Sequence, residues 1–201
     1  MKKLALIAMI AGSFIIASCG GGKENNDENT DSTQVVEKTA KDVCVNENQI
    51  SLVVHKYPAG DDKTIELEME NFDVLMYTYT YKNDSAAEFK LSNYTEEEFN
   101  EELQPGQVDI EVTLYSHNGK LLEPASYPYH GSSDNDFYSY VTIYTNEGNA
   151  YFNGVVGTQG DVIIDFIDED NICGSFNLNV DNPDDASVGT VKLNGTFSIL
   201  K

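Results

Sequence analysis

The chain has 201 residues and a formal net charge of -22, with 34 acidic and 12 basic residues, and 40% of it is apolar. Every basic residue is a lysine, since the sequence contains no arginine. Nucleic acid is a poor partner for such a chain, because phosphate binding needs a basic surface and arginine supplies most specific base contacts. The length allows one domain, and the apolar content is too high for a wholly disordered chain.

Residues 1–18 have the pattern of a signal peptide. Two lysines precede an apolar run over 4–17, which is shorter than the roughly 20 residues that a transmembrane helix needs. The run ends in Ile16-Ala17-Ser18-Cys19, which resembles the lipobox of bacterial lipoproteins. The resemblance implies cleavage after Ser18, lipid attachment to the Cys19 sulfur, and anchoring in a membrane by two or three acyl chains. An ordinary secretory signal with a chance cysteine is the alternative.

Residues 19–42 are predicted to form a flexible acidic tether behind the lipidated Cys19. This segment begins with Gly20-Gly21-Gly22 and has hardly an apolar residue before Val35, so it cannot bury enough surface to fold. Such a coil has an r.m.s. span of roughly 25 Å. Gly20 is not the aspartate that retains many proteobacterial lipoproteins in the inner membrane.

The residues Lys23-Glu24 resemble the surface-export signal of Bacteroidota lipoproteins. The resemblance implies display on the outer surface of the cell, and a plain solvated spacer is the alternative. We therefore expect a lipid anchor in the outer membrane, with the protein either periplasmic or exposed at the surface. Its acidic body should be repelled by anionic lipid headgroups, so the acyl chains alone would hold it at the membrane.

Residues 43–201 are predicted to form one β-rich extracytoplasmic domain, which is large enough for a single core. Apolar and polar residues alternate over 64–71 and 107–115, as is typical of antiparallel strands with one solvated face. Further strands are predicted at 49–56, 74–81, 137–145, 149–156, 161–167, 172–180 and 188–200. Turn residues such as Asn118-Gly119 separate several of them and indicate hairpins. The predicted fold class is all-β, a single antiparallel β-sandwich, with an up-and-down β-barrel as the alternative.

One short helix is predicted over 95–103. Thr95 and Glu98 have the spacing of a capping box, and Phe99 and Leu103 lie four residues apart on one side. Pro105-Gly106 would end this helix.

The C-terminal segment repeats a Gly-x-Phe element at Gly174-Ser175-Phe176 and Gly195-Thr196-Phe197. In this it resembles the closing segment of small Bacteroidota lipoproteins, a resemblance that covers about a quarter of the chain and implies no activity. Both glycines fall inside predicted strands, where the missing side chain lets a neighbouring ring lie over the backbone.

With Cys19 assigned to lipid, Cys44 and Cys173 remain as an even pair in a compartment that permits oxidation. A disulfide between them would join the start of the predicted domain 43–201, which we call the head, to one of its last strands. Closing a loop of that length stabilises a fold by about 4 to 5 kcal/mol in the chain-entropy model. The alternative is two unrelated thiols that are too far apart to bond.

Sequence spacing supports no catalytic constellation and no cofactor. The segment from His130 to Asp134 contains His, Ser and Asp, but in one short loop, whereas a catalytic triad converges from separate elements. The spacing of His55, His117 and His130 matches no zinc motif. We therefore predict a protein that is not an enzyme and has no cofactor.

Acidic residues between two late strands are weak candidates for calcium binding, since calcium takes oxygen ligands. The candidates are Asp165, Asp168 and Asp170. They do not match an EF-hand loop, and a charged hairpin tip without metal is the preferred interpretation.

Tyrosines mark two of the predicted strands. One group is Tyr77, Tyr79 and Tyr81, and the other is Tyr138, Tyr140 and Tyr144. If the two groups are exposed and adjacent, they form an aromatic platform that stacks on sugar rings or on another protein. Cross-strand packing under a helix or a loop, with the hydroxyls reaching water, is the preferred interpretation.

The sequence thus predicts a membrane-anchored lipoprotein with a non-catalytic head that serves in binding or has a structural role. Its partners would be the membrane, through the acyl chains on Cys19, and a protein or a glycan. An accessory hydrolase or a glycan-binding protein at the cell surface is the alternative. A cleft with two convergent carboxylates of shifted pKa would favour the hydrolase, and an open aromatic strip would favour binding.

Overall fold

Two antiparallel sheets pack face to face in the computed structural model of the chain. The structure describes residues 38–44, 47–56, 64–99, 101–130, 134–152, 160–182 and 189–201. The predicted signal peptide, Cys19 and the tether up to residue 37 lie outside the described residues. The second half of the predicted strand 149–156 and the segment 131–133 also lie outside them. Within the described ranges, no helix has both the length and the apolar composition that crossing a membrane requires.

The elements follow one another as α1 (Ala40–Val43), β1 (Gln49–Lys56), β2 (Ile65–Met69), β3 (Met76–Asn83), β4 (Ala86–Ser92), a 3-10 turn (Glu96–Glu98), β5 (Val108–Ser116), β6 (Ala125–Pro128), β7 (Phe137–Thr145), β8 (Gly148–Tyr151), β9 (Gly160–Ile167), β10 (Ile172–Asn182) and β11 (Gly189–Ile199). One sheet has the strand order β2-β1-β11-β10-β9-β6, and the other has the order β3-β4-β5-β7-β8. Both sheets are open, with an edge strand on each side. The prediction of an all-β sandwich is therefore confirmed over the barrel alternative.

The core fills the space between the inner faces of the two sheets. In β5, Val108, Ile110, Val112 and Leu114 are all buried, as their alternation with polar residues predicts. Phe89 in the five-stranded sheet stacks at 4.7 Å between ring centroids on Phe197 in the six-stranded sheet. Interdigitated side chains of this kind are what hold a sandwich together.

The two Gly-x-Phe elements pair with each other across β10 and β11. Gly174 lies opposite Phe197, and Phe176 lies opposite Gly195, so each glycine has a phenylalanine as its cross-strand partner. The backbones also approach closely at both glycines. A Cβ atom on Gly195 would lie 1.8 Å from the carbonyl oxygen of Gln49 in β1, so only glycine fits there.

A disulfide fixes the start of the head to the outer face of the six-stranded sheet. Cys44 and Cys173 are bonded, with an S–S distance of 2.05 Å, and they are 129 positions apart in the sequence. Cys173 and Phe166 are cross-strand partners beside a β-bulge, and they form a small outer cluster with Ala40 and Cys44. The bulge places Phe166 on the outer face, where α1 covers it.

Two helical features differ from their predictions. The predicted helix 95–103 is only a single 3-10 turn, Glu96–Glu98, although its capping box with Thr95 is present. The three glutamates repel one another and offer nothing to pack, so the cap does not extend into a helix. The described α-helix is instead α1, where Ala40 is buried, so the head begins a few residues before the predicted boundary at residue 43.

Two strands were missed in the sequence. In β4, Ala87, Phe89 and Leu91 are buried while their neighbours are partly solvated, so the expected alternation is present. The edge strand β6 ends at Pro128, and its four residues are too few for a period to be recognised.

Candidate binding surface

The two groups of tyrosines lie on opposite faces of the five-stranded sheet. In β3, Tyr79 is the cross-strand partner of Phe89, which is buried on the inner face. In β7, Tyr140 follows the buried Ser139 and points outward, opposite Thr113. Strands β4 and β5 lie between β3 and β7. The condition for one platform from both groups is therefore not met, and the β3 tyrosines follow the cross-strand packing interpretation, because spacing relates residues within a strand but not residues of different strands.

The β3 tyrosines close one edge of the sandwich. The hydroxyl of Tyr77 donates to the carbonyl oxygen of Leu200 at 3.2 Å, and that of Tyr79 donates to the carbonyl oxygen of Asp168 at 2.6 Å. Both acceptors directly follow strands of the opposite sheet, so the two hydrogen bonds join the layers. Tyr79 and Tyr81 also pack against the core. Burial, together with the nearby charge of Asp168, raises the pKa of Tyr79, as expected for a phenol shielded from water.

A cluster of rings covers the outer face at β5 and β7. We call it the aromatic face, and its members are Tyr115, His117, His130, Tyr138 and Tyr140. Tyr138 stacks on Tyr115 at 5.0 Å between ring centroids and on His117 at 4.4 Å. His117 is held in turn, since its Nδ1 donates to the carbonyl oxygen of Asn135 at 2.7 Å. The stack is thus fixed from both strands.

Tyr140 contacts four other rings edge to face. Its centroid lies 5.2 Å from His130, 5.8 Å from Tyr138, 6.0 Å from Tyr115 and 6.4 Å from Tyr129. The angles between the ring planes are 75° to 86°, the T-shaped geometry that aromatic quadrupoles favour. Tyr129 is buried, yet 40% of Tyr140 remains exposed. Tyr140 is therefore fixed by its neighbours while part of its surface faces solvent.

Sequence reasoning missed three members of this face, namely Tyr115, His117 and His130. Tyr115 follows the buried Leu114 and must point outward, which the alternation of β5 shows. Its contact with Tyr138 depends on the pairing of β5 with β7, which a single sequence does not reveal. His130 lies in the aromatic face and has a left-handed backbone conformation, with φ of 49°. No local sequence motif predicts this position.

Tyr144, at the far end of the same side of β7, lies beside a polar cluster rather than in the aromatic face. Its cross-strand partner is Asp109, which is only 8% exposed. Asp109 accepts hydrogen bonds from Ser92 Oγ at 2.5 Å and from the hydroxyl of Tyr94 at 2.8 Å, and Lys90 Nζ lies at 3.4 Å. Burial and the acceptor Asp109 raise the pKa of Tyr94 to about 12. These partners satisfy the buried carboxylate, so the cluster has a structural role.

Glu111 lies between this polar cluster and the aromatic face. Burial raises the pKa of its carboxyl group, Glu88 adds to the effect, and Lys90 opposes it. Glu88 is itself paired with Lys82. In a glycoside hydrolase, the carboxyl group that acts as the acid needs a second carboxylate across the substrate site. Glu111 does not line the grooves beside α1, beside His55 and Glu68, or beside Gln107 and Thr145.

The acidic residues considered for calcium are placed in a turn. Asp168 Oδ1 accepts from the backbone N–H groups of Asp170 and Asn171 at 2.8 and 2.6 Å, and Asp170 pairs with Lys201. Asp165 is exposed at the β-bulge of β9. Across the described ranges, no group of three or more His, Cys, Asp or Glu residues could hold a metal ion. The carboxylate of Asp168 thus serves to shape the hairpin turn.

A groove of about 870 Å³ lies between α1, this turn and the C-terminus. Lys38, Lys41 and Lys201 line it together with Asp165 and Asp168. These charges have mixed signs, and the carboxylate of Asp168 accepts hydrogen bonds within the turn.

The three histidines do not converge. Nε2 of His55 lies 2.9 Å from Glu68 Oε1 on the six-stranded sheet, whereas His117 and His130 belong to the aromatic face. Their separation leaves the described histidines without a common site.

Comparison with known proteins adds no assignment to these observations. No family model matches the chain, and neither the curated proteins nor the solved structures that were compared gave a match.

Proposed function

We propose that the chain is a lipid-anchored, non-catalytic binding module whose β-sandwich head faces the periplasm or the exterior of the cell. The lipobox-like residues ending at Cys19 support the anchor. The disulfide between Cys44 and Cys173 supports an oxidising compartment outside the cytoplasm, because cytosolic thiols are kept reduced.

One observation supports the proposal most directly. The segment by which the chain enters the head and the aromatic face lie on opposite outer faces of the sandwich. Residues 38–44 pack on the outer face of the six-stranded sheet, where Cys44 bonds to Cys173. The aromatic face with Tyr138 and Tyr140 lies on the outer face of the five-stranded sheet. A ligand can therefore reach the rings on the side away from the point where the chain enters the head.

Binding is favoured over hydrolysis by the same geometry. The rings form an open strip on a strand surface, and the half-buried carboxyl of Glu111 does not line the grooves described above. Hydrolysis of a glycosidic bond needs two carboxylates separated by a defined distance across a bound substrate. A binding module needs only a complementary surface.

The lipid anchor is tested by replacing Cys19 with alanine. The variant should lose incorporation of an alkyne-labelled fatty acid and should leave the outer-membrane fraction, because the acyl chains are the only strong membrane attachment that we propose. Lys41→Ala, a change at an exposed residue of the head that leaves the disulfide intact, is the control, and it should keep both the label and the fraction. Equal label and equal outer-membrane recovery for Cys19→Ala and wild type would overturn the proposal.

A further inference from the structure

The ring of Tyr140 is partly exposed to solvent and lies on the face of the sheet that points away from the core. Its neighbours in β7, Ser139 and Val141, are buried on the inner face, whereas Tyr140 is 40% exposed on the outer face. A single exposed ring is ordinary on a protein surface. Here the ring belongs to a contiguous cluster in which His130 is also exposed and the other three rings are half-buried, and contiguous aromatic surface of this kind marks interaction sites.

The rings of this cluster are already fixed before any ligand binds. Tyr140 makes four edge-to-face contacts, and Tyr138 is stacked on Tyr115 and on His117. A ligand that binds to ordered rings does not have to immobilise them, so less conformational entropy is lost on binding. The aromatic face therefore has the preorganisation of a binding site.

Polar groups surround the rings at short range. Thr113 lies directly across from Tyr140, and Tyr115 lies directly across from Tyr138. His130 lies at the exposed rim. A pyranose ring has an apolar face of C–H groups and a rim of hydroxyls. Tyrosine rings bordered by hydroxyl and imidazole groups complement both parts.

The charge of the chain and the small area of the aromatic face restrict the class of ligand further. The chain has a net charge of -22, so sugars with carboxylate, sulfate or phosphate groups are repelled by the protein as a whole. On the outer face itself, Glu88 is paired with Lys82 and Glu111 lies opposite Lys90, so both lysines have an acidic neighbour. A stable protein interface buries about 800 Å² on each partner, which is far more than five partly exposed rings provide. One or two sugar units of an uncharged chain fit the available surface.

We propose that the aromatic face binds uncharged polysaccharides by stacking a sugar ring on Tyr140. This inference rests on the proposed binding function and names its ligand class.

The test is affinity electrophoresis of the full mature chain, in detergent, through native gels that contain a soluble polysaccharide. Mixed-linkage β-glucan, arabinoxylan free of glucuronate and α-mannan free of phosphate are the uncharged probes, and polygalacturonate is the anionic probe. We expect at least one uncharged probe to retard the wild type, and polygalacturonate not to do so. Tyr140→Ala should weaken that binding at least tenfold, and Tyr140→Phe should keep most of it, because the phenyl ring preserves the stacking surface.

Tyr77→Ala is the matched control. Tyr77 is an equally exposed tyrosine, at 45%, of the same sheet, but it belongs to β3 and not to the aromatic face, so its loss should leave binding unchanged. Thermal unfolding of each variant shows that the fold is retained. Failure of all three uncharged probes to retard the wild type would overturn the inference, as would equal binding by Tyr140→Ala and wild type. Either result leaves the membrane anchoring unaffected, because the labelling of Cys19 measures that part separately.

Discussion

Breaking the disulfide between Cys44 and Cys173 should destabilise the head more than any single surface change. The bond closes a loop across 129 residues of sequence, and for a loop of this size the chain-entropy model gives about 5 kcal/mol at 25 °C. For a domain of this size, 1 kcal/mol corresponds to about 2 to 4 °C in the unfolding midpoint. The variant with both cysteines replaced by alanine should therefore unfold about 10 to 20 °C below the wild type.

Circular dichroism on heating, with a urea titration for the free energy of unfolding, measures this effect. Both cysteine side chains are buried, so their truncation adds a small packing loss. Comparing the double variant with reduced wild type isolates that loss, since neither has the bond. A decrease below about 2 kcal/mol between oxidised and reduced wild type would refute the reasoning, because loop closure alone should exceed it.

Loss of the disulfide should also destabilise α1 locally. A helix of four residues is not stable by itself, and α1 is held mainly by Cys44 and by the burial of Ala40 on the sheet. Lys41 is exposed within it. Reduction should therefore speed tryptic cleavage after Lys41 at temperatures where the sheets remain folded, and an unchanged cleavage rate would mean that packing alone holds α1.

Two further predictions concern the backbone at β11 and a buried phenol. Gly195→Ala should lower the free energy of unfolding by about 3 kcal/mol or more in a urea titration, because its Cβ would lie 1.8 Å from the Gln49 oxygen. Gly119→Ala, at φ of 71° with no atom within 4 Å, should cost only about 1 to 2 kcal/mol, and an equal loss at both glycines would contradict the prediction. Stability should also fall as pH rises from about 10 to about 12, since burial and Asp109 raise the folded pKa of Tyr94 to about 12 and the unfolded phenol releases its proton near pH 10. Urea titrations across this range should show a weaker pH dependence for Tyr94→Phe, and the same slope in both proteins would argue against it.

Alternation along the chain was enough to predict most strands and the sandwich. It also contained the information that separates the two tyrosine groups. In β3, Tyr77 and Tyr79 alternate with threonines, so the tyrosines are the more apolar side and turn inward. In β7, Tyr138 and Tyr140 alternate with Phe137, Ser139 and Val141, so the tyrosines are the more polar side and turn outward. The prediction compared tyrosines with one another, when the comparison that matters is with their neighbours in the same strand.

Strand order is the part that the sequence did not reveal. The contact between Tyr115 and Tyr138 requires β5 to pair with β7, although β6 lies between them in the chain and belongs to the other sheet. That choice depends on which edges remain open when the sheets pack, and this is a property of the whole chain. The helix predicted from the capping box at Thr95 was wrong for a related reason. A cap starts a turn, but packing decides whether the turn extends into a helix.

The weak binding expected of a single aromatic face agrees with the proposed membrane anchor. Stacking of one sugar ring on Tyr140, with a few hydrogen bonds, corresponds to a dissociation constant of about 1 mM, or roughly 4 kcal/mol. A polysaccharide repeats the same sugar many times, and lipid-anchored copies share one membrane, so each copy after the first binds at a high effective concentration. Avidity of this kind can strengthen overall binding by about 100-fold or more without any new contact. Vesicles that carry the lipidated chain should therefore retain a long uncharged polysaccharide that the same chain in detergent binds only weakly.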